Sequence, residues 1–314
     1  MNGDVSNLPQ GGKLAEVLNR WDKPPGLSSQ PARGFWPVDK VVLPYYAAAT
    51  VAILWFWSRL PSPAWLLAWH VAAIALALWA IRGAGRASWI FRHWYPLPYV
   101  AWCYREMAVL MPKLRGWEAD AGLARLDYRL WGVHPTVWLE RVTTPILTEY
   151  FQIVYTLFVP VVLLIAFLLW RRARYAEFRY YAFLIALCFL VSYVGYVLAP
   201  ARGPRFFLRN LQTMDLRGLW VTRALQWSLD RLESKAWDCF PSGHTELTIL
   251  AWWGSRLISK RLFWIYFAYT LSIISATVYL RYHYTIDLLA GAAVAGLLVL
   301  FAPPLYRILG KGAA

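Results

Sequence analysis

Long segments without a charged residue constrain this fold more than any other feature of the chain. Six segments of 17 to 22 residues contain no Asp, Glu, Lys or Arg, namely 41–57, 60–81, 150–170, 180–201, 262–280 and 288–306. An α-helix needs about 20 residues to cross the hydrocarbon core of a bilayer. The pattern therefore predicts an all-α, polytopic membrane helix bundle.

Two further segments bring the predicted number of spanning helices to seven or eight, and we favour eight. The segment 242–258 carries charges only near its ends, whereas 94–112 is interrupted by Arg105 and Glu106. A charged side chain at the middle of a membrane costs about 2.5–3.5 kcal/mol on insertion scales. Arg105 and Glu106 should therefore face the interior of the bundle or lie near one end of their helix.

The composition favours a membrane protein over a nucleic-acid-binding one. Hydrophobic residues make up 59% of the 314 residues and charged residues only 16%, with a mean hydropathy of +0.40. The net charge is +15, but the basic residues cluster at the ends of apolar segments, which indicates topology and anionic lipid headgroups. We expect residues 1–40 to form a flexible cytoplasmic tail and 41–312 a single membrane-embedded domain.

Three clusters of basic residues lie on one predicted face of the membrane. They comprise Arg171, Arg172, Arg174 and Arg179; Arg256, Lys260 and Arg261; and Arg307 and Lys311. The positive-inside rule makes that face cytoplasmic, together with both termini. The opposite face, periplasmic or luminal, then holds residues 199–238, a Pro-Ser-Gly-His sequence at 241–244, and residues 281–287.

The Pro-Ser-Gly-His sequence lies where a predicted helix begins. The unpaired amides and the positive dipole at a helix N-terminus favour anions. Gly243 lets an anion approach the backbone, and Ser242 adds a hydroxyl donor next to it. His244 follows directly, so that a histidine is expected beside an anion site.

A second histidine has a carboxylate four residues later, which is helical spacing. A carboxylate from Asp287 on one nitrogen of His283 fixes the tautomer and frees the other nitrogen for attack. Arg202 and Arg205 offer forked donors that suit phosphate oxygens, and Arg281 is a further candidate. Two histidines beside an anion site suit phosphoryl transfer through a phosphohistidine.

Each of these features also has a simpler explanation. The Pro-Ser-Gly-His sequence could be only a turn and a helix cap, and an interfacial histidine only a polar ring at headgroup level. The arginines could anchor the chain to lipid phosphates. His70, His93 and His134 have no partner at useful spacing and are predicted to be structural or interfacial. The functional interpretation depends on all three stretches lying on one predicted face.

The set resembles the type 2 phosphatidic acid phosphatase superfamily over roughly residues 145–305. Pro-Ser-Gly-His at 241–244 matches the second motif of that superfamily, and the sequence HYTID at 283–287 matches the end of the third. Gly-Pro-Arg at 203–205 resembles a divergent first motif.

The resemblance implies a six-helix catalytic core and a role for each matched residue. His283 would be the nucleophile, Asp287 its orienting partner and His244 the general acid. The residues implied in phosphate binding are Arg205, Arg202, Ser242 and Gly243, with Arg281 as a further candidate. The resemblance implies no metal and no other cofactor.

The departures from the family pattern favour one branch of it. The lysine expected seven residues before Arg205 is Leu198, and the Ser-Arg of the third motif is replaced by Ala276 and Thr277. Thr277 and HYTID are more similar to the inositol phosphorylceramide synthase and sphingomyelin synthase branch. That branch passes a phosphorylated headgroup to a lipid alcohol.

The expected activity is therefore that of a lipid phosphotransferase, in sphingolipid or phospholipid metabolism. Its substrates would be a phospholipid or lipid phosphate and a lipid alcohol acceptor, both within the bilayer. A lipid phosphate phosphatase acting on phosphatidate or a polyprenyl phosphate shares every catalytic residue and is the alternative. A non-catalytic lipid-binding protein or transporter is a third, but the six apolar segments contain no charged residue that would mark an ion pathway.

Overall fold

The computed structural model describes residues 34–114, 116–233 and 237–311, and all regular structure in these ranges is helical. The α-helices in the described ranges are α1 (Asp39–Trp55), α2 (Pro63–Arg82), α3 (Arg86–Trp94), α4 (Pro96–Leu114), α5 (Asp120–Trp131), α6 (Pro135–Trp138), α7 (Pro145–Thr156), α8 (Phe158–Arg171), α9 (Tyr175–Leu198), α10 (Pro204–Phe207), α11 (Thr222–Glu233), α12 (Gly243–Ser255), α13 (Lys260–Tyr279) and α14 (Thr285–Gly310). The predicted all-α helix bundle is therefore confirmed.

The predicted tail at 1–40 falls mainly outside the described residues, and only its end can be placed. Trp36 is buried, and α1 begins at Asp39, whose carboxylate is buried 3.2 Å from the guanidinium of Arg92. The flexible tail itself stays a prediction.

Every one of the eight apolar segments coincides with a helix or a pair of helices. Judged by length and composition, four helices in the described ranges can cross a membrane, namely α2, α9, α13 and α14. The bent pair α7 and α8 makes a fifth if it is one span. These helices fit an integral membrane protein, and the number of spans, seven or eight, stays a prediction.

The segment predicted as one helix at 150–170 is broken. Helices α7 and α8 meet at a bend of 44°. Pro160 has no amide proton to donate to the carbonyl of Thr156, so the helical hydrogen bonding stops at that point. The hydroxyl of Tyr269 donates to the carbonyl of Val154 (2.8 Å), next to the break, and stabilises the bent backbone.

Helix α12 is packed on four sides, against α8, α9, α13 and α14. Thr245, Leu247 and Leu250 point to different faces of this helix, and all three are buried. The helix has only 13 residues, so it rises about 20 Å. Its first turn carries the Pro-Ser-Gly-His sequence, which places that sequence at the centre of the bundle in cross-section.

The basic clusters and the predicted site lie at opposite ends of the bundle. Arg172 donates to the carbonyl of Ile258 (3.1 Å), and Lys40 donates to the carbonyl of Leu309 (2.6 Å). Each contact joins chain segments at the basic end. Which end faces the cytoplasm stays a prediction.

His70, which has no partner at useful sequence spacing, has two partners in the folded chain. Its Nδ1 is 2.7 Å from the hydroxyl of Thr50 in α1, and its Nε2 is 2.7 Å from a carboxylate oxygen of Glu106 in α4. The partners come from other helices, so sequence spacing could not reveal them. Glu106 is buried and faces the interior of the bundle, where His70 offsets the cost of its burial.

Candidate active site

The turn between α13 and α14 places His283 against His244. Nδ1 of His283 is 2.9 Å from the carbonyl oxygen of Cys239. A carbonyl only accepts hydrogen bonds, so Nδ1 carries the proton and Nε2 presents a lone pair. Nε2 lies 3.2 Å from Nδ1 of His244, which must be the donor in this contact. The structure thus brings the two histidines together, and the unprotonated nitrogen of His283 faces His244.

Asp287 also lies beside His283, but the two side chains do not share a helical face. Helix α14 begins at Thr285, so His283 precedes it. Asp287 turns its Oδ2 back to accept from the amide of Tyr284 (2.9 Å), which leaves that oxygen 3.4 Å from Nδ1 of His283. The shorter contact of Nδ1 is to the Cys239 carbonyl, so the carbonyl fixes the tautomer and Asp287 supplies nearby negative charge.

Cys239 contributes its side chain as well as its carbonyl. The thiol donates to Oδ2 of Asp287 (2.9 Å), and burial raises the pKa of Cys239 well above its usual value. Donor atoms of Cys239, His283 and Asp287 all lie within 4.8 Å of one another. Thiolate, imidazole and carboxylate are ligands that suit a zinc ion, so the expectation of no metal stays a prediction.

Ser242 and Gly243 form the start of α12, where the sequence predicted a helix to begin. The Ser242 hydroxyl accepts from the amide of Thr245 (3.3 Å) as an N-cap, and its own amide donates to the carbonyl of Asp287 (3.1 Å). A Cβ on Gly243 would lie 2.8 Å from the hydroxyl of Tyr196. The packing therefore requires a residue without a side chain here, next to the helix N-terminus.

A carboxylate that sequence reasoning missed holds the first motif in place. Asp120, at the start of α5, accepts from the amides of Arg202 (2.9 Å) and Gly203 (2.8 Å). It also accepts from the hydroxyl of Tyr284 (3.0 Å), the neighbour of His283. Gly203 has φ +89° and its Cβ would meet the carbonyl of Tyr282 at 2.6 Å, so only glycine fits. Asp120 thus ties the Arg202–Gly203 backbone to the third motif.

Asp127, two turns further along α5, caps α14. It accepts from the amides of Thr285 and Ile286, both at 2.9 Å, and from the Thr285 hydroxyl at 2.7 Å. The seven-residue spacing of Asp120 and Asp127 puts both on one face of α5. That spacing was the available signal, and the sequence analysis assigned no role to either carboxylate.

The three candidate arginines lie in different surroundings. The amide of Arg205 donates to the carbonyl of Arg281 (2.8 Å), and its guanidinium is 3.5 Å from the hydroxyl of Tyr282. Arg202 is exposed, with its guanidinium 4.5 Å from the ring of Phe206. Arg281 is buried and its guanidinium is 2.8 Å from a carboxylate oxygen of Glu140. Arg205 is therefore the candidate brought next to the third motif, while Arg281 already has a carboxylate partner.

Two aromatic rings pack against His244. Tyr155 stacks on His244 (4.6 Å between centroids) and also on Tyr282 (4.3 Å), and Phe158 is 4.5 Å from His244. These contacts could not be predicted from the sequence, because Tyr155 and Phe158 lie at the break between α7 and α8, which was not predicted either. The rings fix the position of His244 and limit its contact with water.

Thr277, at the position of the missing family arginine, is fully buried. Its hydroxyl donates to the carbonyl of Ile274 (2.8 Å), and its carbonyl accepts from the amides of Tyr282 (2.9 Å) and His283 (3.2 Å). Thr277 therefore shapes the turn that carries His283 and supplies no charge to the site.

Comparison with known proteins gives one match. A family model described as the PAP2 superfamily matches residues 121–301, which is more than half of the chain. The match begins within α5 and ends within α14, so α1 to α4 lie outside it. No curated protein and no solved structure matches the chain.

Proposed function

Because the chain belongs to the PAP2 superfamily, whose members act as phosphatases or phosphotransferases on lipid phosphates, we propose that it is a lipid phosphotransferase. It moves a phosphorylated headgroup from a phospholipid to a lipid alcohol through a phosphohistidine, without a metal. The observation that carries this proposal is the tautomer of His283: the Cys239 carbonyl holds the proton on Nδ1, and the lone pair of Nε2 faces His244.

In the first step, Nε2 of His283 attacks the phosphorus of the donor. The bond from phosphorus to the diacylglycerol oxygen breaks, and His244, as the imidazolium, gives that oxygen a proton. The phosphorylated ring of His283 then carries a positive charge. The Cys239 carbonyl and the nearby carboxylate of Asp287 stabilise this charge.

In the second step, the acceptor alcohol attacks the same phosphorus. His244, now neutral, takes the hydroxyl proton, and the phosphorus–nitrogen bond breaks to return the electron pair to Nε2. Arg205, Arg202 and the N-terminus of α12 at Ser242 and Gly243 bind the phosphate oxygens during both steps.

The pairing of Arg281 supports transfer from a diester rather than hydrolysis of a monoester. A terminal phosphate monoester carries a charge of about −1.5 to −2 at pH 7, and a diester carries one negative charge. Thr277 supplies no cation, and Glu140 already neutralises Arg281, the side chain that could have replaced it. Fewer available cations next to His283 favour a reacting phosphate that carries one negative charge, as in a diester.

The site is proposed to face the extracytoplasmic side, periplasmic or luminal, with both termini cytoplasmic. The support is the position of the basic clusters at the other end of the bundle. Labelling of a cysteine introduced at 215–225 with a membrane-impermeant reagent tests this. Labelling only from the cytoplasmic side would reverse the orientation.

The test of transfer compares a labelled diester phospholipid with phosphatidate, each with and without ceramide or diacylglycerol as acceptor. We expect a new phospholipid from the diester, formed faster than any water-soluble headgroup phosphate. Rapid release of inorganic phosphate from phosphatidate, with no transfer product from the diester, would establish the phosphatase alternative instead.

A further inference from the structure

A cavity of about 920 Å³ lies beside the candidate active site and is lined by an unusual number of arginines. We name this cavity the arginine vestibule; its arginines are Arg205, Arg209, Arg217, Arg223 and Arg281. Ligand pockets in proteins typically measure about 300–1,000 Å³. The vestibule is therefore large enough for a lipid headgroup.

Glu140 pairs with Arg281, but the charges of the outer arginines of the vestibule are poorly balanced. Asp215 is the one acidic residue among its lining residues, and its carboxylate is 3.7 Å from the guanidinium of Arg217. Both side chains of that pair are more than 80% exposed, so water screens their attraction. Arg209 and Arg223 have no carboxylate within ion-pair distance in the part of the chain that the structure describes. Like charges gathered in a cavity repel one another unless an anion lies between them.

The vestibule adjoins the reacting histidine. Its wall includes Arg281 and Tyr282, the two residues directly before His283, and the guanidinium of Arg205 approaches the hydroxyl of Tyr282. A phosphorus atom held at His283 therefore has the vestibule next to it. The headgroup is the substituent on that phosphorus that remains in water, and it would extend into the vestibule, whose wall also carries Arg209, Arg217 and Arg223.

Resting on the proposed function, we infer that the arginine vestibule binds a headgroup that carries a second anionic group besides the reacting phosphoryl group. The donor is then a phospholipid whose headgroup bears a further phosphate. Arg209, Arg217 and Arg223 contact that second phosphate, while Arg205 remains with the reacting one. The same charges disfavour a headgroup that ends in a quaternary ammonium.

The first test measures donor preference with the purified full-length protein in mixed micelles. Phosphatidylglycerol phosphate, phosphatidylglycerol and phosphatidylcholine with identical acyl chains are compared by kcat/KM for release of labelled diacylglycerol. We expect phosphatidylglycerol phosphate to exceed phosphatidylglycerol on the order of tenfold, as for several partly exposed charge pairs acting together, and phosphatidylcholine to be poorest. The triple variant R209Q/R217Q/R223Q should bring the ratio of the first two close to one. Arg129→Gln, an exposed arginine of α5 outside the vestibule, should leave the ratio unchanged.

A second test measures binding without turnover. Titration calorimetry of His283→Ala with inositol 1,4-bisphosphate and inositol 1-phosphate should show tighter binding of the bisphosphate, again on the order of tenfold, and the triple variant made in this background should lose the difference. If no donor is turned over but the binding difference is present, the proposed reaction is wrong, and the inference that the vestibule binds a second phosphate is supported. If both phosphatidylglycerol phosphate and phosphatidylglycerol are turned over with equal kcat/KM, and the two probes bind equally, the inference about the vestibule alone is wrong. Absence of both turnover and binding difference overturns both.

Discussion

His283 and His244 meet through one hydrogen bond, and the proposed mechanism gives each ring a different task. The proton of His283 is on Nδ1, so Nε2 is the nitrogen with a free lone pair, and Nδ1 of His244 donates to it. In the proposed reaction Nε2 of His283 attacks, and His244, as the imidazolium, protonates the leaving group. A missing nucleophile cannot be bypassed, whereas a missing acid matters most for a poor leaving group.

We therefore expect His283→Ala to abolish phosphoenzyme formation with every substrate. His244→Ala should retain a burst of product with an activated aryl phosphate ester and lose it with a phospholipid. Rapid-quench burst kinetics measures both. Equal and complete loss in the two variants with the activated ester would contradict the division of roles, and a normal burst in His283→Ala would remove the nucleophile assignment.

The thiol of Cys239 acts on the site through Asp287. A hydrogen bond to a charged group contributes about 1.5–3 kcal/mol, so Cys239→Ala should lower kcat by at least about tenfold. Cys239→Ser keeps a donor at this position and should restore most of the activity. The raised pKa of Cys239 leaves little thiolate at neutral pH, so the native protein should resist alkylation with iodoacetamide at pH 7. Rapid alkylation of Cys239 in the active protein, found by peptide mass mapping, would contradict this account of the thiol.

At the scale of whole elements, α5 holds the catalytic motifs in register. Its two carboxylates connect to the first motif through Asp120 and to the start of α14 through Asp127. Neither carboxylate touches the expected position of the phosphate. Their effect on the reaction runs through the backbone of Arg202 and Gly203 and the first turn of α14.

The state of Asp120 should appear in the pH profile. Burial raises the pKa of Asp120 above its ordinary 3.8, against the lowering effect of its three hydrogen bonds. As the pH falls towards this raised pKa, the carboxylate gains a proton and stops accepting from one of the amides, so kcat/KM should decline at a pH above 3.8. Asp120→Asn cannot titrate and should show a lower plateau without this acid limb.

The effect of Asp120 on stability has the opposite sign. Its pKa is higher in the folded than in the unfolded chain, so its contribution to folding is fully present below the unfolded pKa and is lost as the pH rises through the folded pKa.

A decline of activity that persisted unchanged in Asp120→Asn would assign the acid limb to another carboxyl group, such as Asp238, whose pKa burial also raises.

The long helices could be predicted from sequence because uncharged runs of this length have few other solutions. The break between α7 and α8 could not be predicted, because a proline such as Pro160 also occurs in continuous helices that only bend. Helix α5 was missed because its function lies in two carboxylates that face buried amides, while the rest of the segment is polar. For the candidate site, sequence motifs supplied the two histidines and Asp287, whereas Cys239, Asp120 and Tyr155 act through contacts between distant segments.

At the scale of the whole molecule, α1 to α4 lie outside the family match, yet α4 contacts the segment next to the candidate site. Helix α4 packs against α9, and the hydroxyl of Tyr104 donates to a carboxylate oxygen of Asp238 (2.6 Å). Asp238 directly precedes Cys239, whose carbonyl holds the proton of His283. Helix α4 is thus connected to His283 through two adjacent residues, Asp238 and Cys239.

The Tyr104 contact reaches His283 only through Asp238 and Cys239, so the reaction should feel only part of the about 1.5–3 kcal/mol of a hydrogen bond to a charged group. Tyr104→Phe should therefore lower kcat by about tenfold or less, with little change in the thermal unfolding midpoint in detergent. Tyr150→Phe is the matched control, because it removes an exposed hydroxyl contact to Ser272 (2.8 Å) at the surface of α7. A loss of stability as large as the loss of activity would make Tyr104 a packing residue only. Equal activity of the two variants would show that the contact between Tyr104 of α4 and Asp238 does not affect the reaction.

The shortness of α12 has a consequence for the membrane around it. Its 13 residues rise about 20 Å, roughly 10 Å less than a typical hydrocarbon core is thick. Its last turn lies next to Arg256 at the basic end, so the deficit falls at the other end, below Ser242. A lipid phosphate meets the histidines only where the bilayer is locally thin or its headgroup sinks, and hydrophobic mismatch costs fractions of a kcal/mol per Å. In vesicles of graded acyl-chain length, turnover of the phospholipid should therefore fall as the membrane thickens. Hydrolysis of a water-soluble aryl phosphate should not change. If both reactions fell equally, membrane thickness would act on the fold and not on the access of the lipid.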